Sequence, residues 1–121
     1  MKILVAVDGS KNALRAFKYV MDLAEQMKER PAVTLICVHD DIAMRHATRF
    51  VGKKAVADYL AEASGEDLKA AVATAAKASF PVETLTRVGH VALEIAEAAN
   101  KGKFDLLVVG AKGRGSIKDI L

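Results

Sequence analysis

Two short stretches of this chain carry residue types that could do chemistry. Asp8, Gly9 and Ser10 follow an apolar run near the N-terminus, and Gly110-Ala111-Lys112-Gly113-Arg114-Gly115-Ser116 follow another near residue 110. A carboxylate can hold ribose hydroxyls or a divalent metal. Glycines let the backbone turn through positive φ and come close to a ligand, so that successive N–H groups surround an anion. An acid facing a glycine loop suits a nucleotide, provided the two runs that deliver them are neighbours in one sheet. Asp8 is then the candidate ribose or metal ligand, and Gly110, Ala111, Lys112 and Gly113 form the candidate phosphate loop. Two established phosphate fingerprints do not fit. A G-x-G-x-x-G pattern starting at Gly113 would need glycine where Lys118 stands. The G-x-x-x-x-G-K-[ST] pattern is met at Gly110 and Gly115 but continues with Ser116 and Ile117. A dinucleotide enzyme and a P-loop NTPase are both disfavoured.

His39, Asp40, Asp41 and His46 also invite a metal reading, but no cysteine joins them at ligand spacing, and a polar loop is the simpler account. His90, at a helix start, could meet a phosphate or merely fill its turn. Cys37 lies in an apolar run and reads as a small buried hydrophobe. No nucleophile–base pair or paired carboxylates can be argued from spacing, so dedicated catalysis has no warrant; any hydrolysis of a bound nucleotide would be incidental.

The elements that must position these residues follow from hydrophobic periodicity. Ile3 to Val7 is a continuous apolar run, the pattern of a strand buried on both faces of a parallel sheet. Ala13, Leu14, Phe17, Val20, Met21, Ala24 and Met27 recur at helical period behind Ser10 as N-cap, and Pro31 closes that helix. Val33 to Val38 is a second buried strand. No period is sustained from Asp40 to about Gly52, which predicts a loop. Ala55 to Ala78 is a helix that Gly65 could kink or split, stopped by Pro81. Val82 to Val88 alternates and belongs at a sheet edge. Gly89-His90 turns into a third helix, closed by Gly102, and Phe104 to Val109 is a fourth strand. The β-α-β-α-β-α-β order predicts a doubly wound open parallel sheet with helices on both faces, and residues 1–121 form a single domain.

Composition excludes several classes. The net charge is +3 with both signs mixed, and the one basic concentration is Arg45, Arg49, Lys53 and Lys54. Aromatics are 5% with no Trp, so a stacking platform for nucleic acid is lacking. A lone cysteine forms no disulfide framework. The apolar run before Asp8 is too short for a signal peptide or a membrane span, and a cytoplasmic protein is expected, with neither nucleic acid nor membrane as partner.

Taken together, "VAVDGS", "CVHD", "VGHVALEIAEAA" and "DLLVVGAKGRGS" resemble the universal stress protein family over essentially the whole chain. The resemblance implies a sheet of order 3-2-1-4-5, homodimers through the fifth strand, and a regulatory or sensor role in stress responses. One branch of the family binds ATP through G-x2-G-x9-G-[ST]; another lacks the motif and does not bind nucleotide. Gly110 and Gly113 match the first half of that motif, and its third glycine would fall at position 123. Asp8 matches the ribose- or metal-facing acid, through which Mg²⁺ would arrive with ATP. Val38 matches the position whose backbone meets adenine, Ala6 and Val7 line the same pocket, and Ala111 stands where a small residue is common. A fourth strand left as an apolar edge invites pairing, so the polypeptide is expected to continue past Leu121 with a fifth strand. ATP is expected to order the segment beyond Gly113. The competing expectations are a nucleotide-independent signalling module acting through an unidentified protein partner, and an α/β enzyme using a nucleotide or a flavin.

Overall fold

The parallel ladder that organises the molecule starts with β1 (Lys2–Ala6), whose residues from Ile3 to Val5 are buried on both faces. β1 pairs on one side with β2 (Ala32–Asp40) and on the other with β4 (Leu106–Val108); β3 (Val82–Gly89) lies outside β2. The sheet order is β3-β2-β1-β4, all parallel. The computed structural model describes residues 1–110, with residues 41–51 as backbone only.

Three helices make the crossovers: α1 (Lys11–Glu25), α2 (Asp41–Lys77) and α3 (Val91–Lys101). The period-two alternation of the strands separates two cores. Ile3, Val5, Val7, Val33, Leu35 and Cys37 face α1 and α2, where Phe17, Val20, Leu68 and Ala71 cover them. Leu4, Ala6, Ile36 and Val38 face the opposite way, onto Ile95 and Ala98 of α3. Helices therefore lie on both faces of the sheet, as the alternation of strands and helices predicts.

The boundaries differ from expectation in four places. The expected loop from Asp40 to about Gly52 is strand to Asp40 and helix from Asp41. Ala43, Met44, Arg45 and Ala47 are good helix formers, so propensity marks this helix where no amphipathic period does. The break in α2 falls at Gly52 (φ 81°, ψ 166°), not at Gly65. That conformation is open to glycine and costly for other residues, whereas Gly65 stays helical at about 1 kcal/mol relative to alanine. α1 ends at Glu25, well before Pro31, and β4 is shorter than its apolar run.

Candidate functional site

The strand order reverses between β1 and β4, and both strands end in the residues singled out above. Asp8 folds back over the turn: its Oδ1 accepts a hydrogen bond from the Ser10 backbone N–H at 2.9 Å. Ser10 then caps α1, its Oγ accepting from the Ala13 N–H at 3.1 Å. Between them Gly9 sits at φ +82°, in the left-handed region that favours glycine. The first turn of α1 carries no acidic residue and begins with Lys11, so the positive end of the helix dipole is not offset by an acid of its own.

Gly110 rests on that same turn. A Cβ there would lie 2.9 Å from the Ala13 N and 2.9 Å from the Asn12 carbonyl carbon, so only glycine permits the approach. Val5 pairs with Val108. Gly110 therefore leaves the sheet beside the point where Asp8 leaves it. Val7 is buried on the α1–α2 side with its N–H bonded to the Ile36 carbonyl at 2.8 Å, while Ala6 and Val38 pack toward α3. Ala111, Lys112 and Gly113, with the rest of the glycine loop, lie outside the described residues. The half-buried carboxylate of Asp8, the close backbone approach at Gly110 and the acid-free start of α1 thus meet at one end of the sheet, an arrangement that can take an anion beside an acid.

A second cluster, missed by the sequence reading, lies on the α1–α2 face at the carboxyl end of β2. Cys37 and His39 are two apart on one strand and so share a face. Asp67 and Ser64 come from α2. The Cys37 thiol donates to Asp67 Oδ2 at 3.6 Å, and its Sγ lies 3.7 Å from His39 Nε2. His39 Nε2 is 2.8 Å from Ser64 Oγ. Burial pushes the Cys37 thiol up to about 12, with the charge and hydrogen bond of Asp67 and the charge of Asp8 adding to it. Asp67 also backs the β1–α1 turn: a Cβ on Gly9 would fall 2.9 Å from its Oδ1. The strand period, carried one residue past Val38, would have paired His39 with Cys37. Nothing in the sequence marks Asp67, 30 residues from Cys37, because packing alone brings α2 onto β2.

The remaining candidates separate. Asp40 ends β2, while Asp41 and His46 are on α2, so the four-residue polar loop does not exist as a unit. His90 is exposed and caps α3, its Nδ1 accepting from the Leu93 N–H at 3.5 Å. Among the described residues no helix is long and apolar enough to cross a membrane.

An open parallel sheet of order β3-β2-β1-β4, with an acid and a glycine leaving it at the reversal, defines a doubly wound α/β protein. Comparison with known proteins narrows the class. Residues 1–121 match the family model described as the universal stress protein family, and the chain belongs to that family. It is 31% identical over 126 residues to universal stress protein MJ0531 of Methanocaldococcus jannaschii, covering 99% of this chain and 69% of that protein. Among solved structures it is similar to hypothetical protein MJ0577, with a TM-score of 0.76 at 24% identity over 99% of this chain and 81% of that one. It is also similar to the universal stress protein family member At3g01520 of Arabidopsis thaliana, solved with AMP bound. There the TM-score is 0.66 at 19% identity, over 98% of this chain and 82% of that one.

Proposed function

We propose that this chain is an adenine-nucleotide-binding regulator of the stress response, with ATP and Mg²⁺ as its ligands, rather than an enzyme. The observation that carries this reading is the seat of Gly110 on the first turn of α1, beside the carboxylate of Asp8. The AMP in the Arabidopsis relative supports an adenine nucleotide in particular. Phosphates would lie on the backbone of Gly110 and Gly113 with Ala111 and Lys112 between them. Asp8 would face ribose or Mg²⁺, and Val38 adenine, with Ala6 and Val7 lining the pocket. The protein acts as a single domain in the cytoplasm, as a homodimer, passing its state to a protein partner.

Calorimetry with ATP, AMP and cyclic AMP tests this on wild type and Asp8→Asn. Asparagine keeps the oxygen that accepts from Ser10 and removes only the charge. The expected result is Mg²⁺-dependent ATP binding by wild type. A charge-assisted hydrogen bond contributes about 1.5–3 kcal/mol, so the variant should bind at least about tenfold more weakly. Absence of ATP binding would leave the protein-contact reading, and flavin released from purified protein would favour the enzyme.

A further inference from the structure

The Cys37–His39–Asp67 cluster has no part in the nucleotide reading, yet its three side chains offer one sulfur, one imidazole nitrogen and one carboxylate oxygen, all within 4.8 Å of one another. A tetrahedral metal with metal–sulfur bonds of about 2.3 Å and metal–nitrogen or –oxygen bonds of about 2.0–2.1 Å holds its ligand atoms about 3.3–3.6 Å apart. The two sulfur edges, 3.7 Å to Nε2 and 3.6 Å to Oδ2, already stand close to that spacing. We propose that Cys37 Sγ, His39 Nε2 and Asp67 bind a zinc-class divalent ion, with the fourth position open to water.

Three features of the surroundings fit this assignment. Thiolate with imidazole selects zinc and its neighbours over Mg²⁺, which prefers an all-oxygen octahedron and would remain with Asp8 and the phosphates. Two ligands sit on β2 where the strand is held in register by β3, Cys37 opposite Thr86 and His39 opposite Val88, just past the end of its ladder with β1 at Ile36. The third sits on a packed helix beside the buried Leu68 and Ala71, so the site is built on rigid elements rather than on a loop. A shallow hollow lined by Val7, Gly9, Lys11, Leu14 and Asp67 brings the surface to the Asp67 ligand. On binding, the thiol proton passes to solvent as the metal–sulfur bond forms, and Nε2 exchanges its contact with Ser64 for the metal. Ser64 Oγ is then free to hold the water in the fourth position.

The test uses the full chain, stripped with chelator, kept reduced and free of nucleotide, so its outcome is independent of ATP binding. Titration with Co²⁺ should give a thiolate-to-cobalt charge-transfer band and the visible bands of a four-coordinate ion, both erased by one equivalent of Zn²⁺. Cys37→Ser should abolish the charge-transfer band. Cys37 is buried and its replacement could disturb the fold, so half-buried His39→Ala and Asp67→Asn serve as the second pair, with circular dichroism as the control. Loss of an outer-sphere partner already costs about 10–100-fold in metal affinity, so removing a ligand should weaken Zn²⁺ at least about a hundredfold. A six-coordinate cobalt spectrum without the charge-transfer band overturns the site. So does Zn²⁺ affinity unchanged in folded His39→Ala and Asp67→Asn.

Discussion

At the scale of the residue, Cys37 is the position where sequence and structure part most instructively. Its burial was legible from the apolar run around it, and it is 1% exposed. Its neighbours were not, since Asp67 reaches it only through the packing of α2. A thiol held at about 12, against 9.0 when unconstrained, is protonated and inert in the metal-free native protein at neutral and mildly alkaline pH. Ellman's reagent should therefore leave chelator-treated native protein unmodified at pH 8 and label it fully in denaturant. Linkage gives the direction of a second effect. The folded thiol keeps its proton where the unfolded one loses it, so this contribution to stability is complete below pH 9. It declines as pH rises from there toward 12. Urea midpoints measured across that range should fall more steeply for wild type than for Cys37→Ala; parallel curves would contradict the assignment.

Elements were legible where periodicity and end signals agreed. Ser10 illustrates this: a hydroxyl residue ahead of an amphipathic run predicts an N-cap, and its Oγ accepts from the Ala13 N–H. Ser10→Ala should lower stability by about 0.5–2 kcal/mol in urea denaturation, and a loss below that range would mean that water replaces the cap without cost. The edge position of β3 was equally legible, because polar residues interrupt its apolar ones, and Glu83, Thr84 and Thr86 are exposed where Val82 and Leu85 are partly covered. The start of α2 was not, because a helix supported by propensity leaves no stripe to count. Gly65 and Gly52 show the same limit from the other side. Both are glycines within one helical stretch, and only the backbone angles distinguish the one that breaks it. At the candidate crevice the types of Asp8 and Gly110 were legible, but the contact of Gly110 with Asn12 and Ala13 depends on a strand and a helix far apart in sequence.

At the scale of the molecule, the sheet separates two cores, and the larger holds Phe17 edge-on to Phe80 at 6.3 Å between ring centroids. Phe17 is fully buried, so Phe17→Ala should cost about 3–5 kcal/mol; a smaller loss by denaturant titration would mean that α1 settles into the cavity. The sheet itself is unevenly tied. β2 and β3 are in register from Val33–Val82 through Asp40–Gly89, whereas among the described residues β4 is in register with β1 at Ile3–Leu106, Leu4–Leu107 and Val5–Val108. A short ladder opens at lower free energy than a long one, so amide protons of β4 should exchange with deuterium well before those of β2. Equal protection of the two strands would refute this. Gly110 travels with β4, and Asp8 stays with β1. The crevice therefore has one fixed wall and one that can detach by itself, and any ligand touching both would act as a latch, with its occupancy recorded in the exchange rate of a single strand.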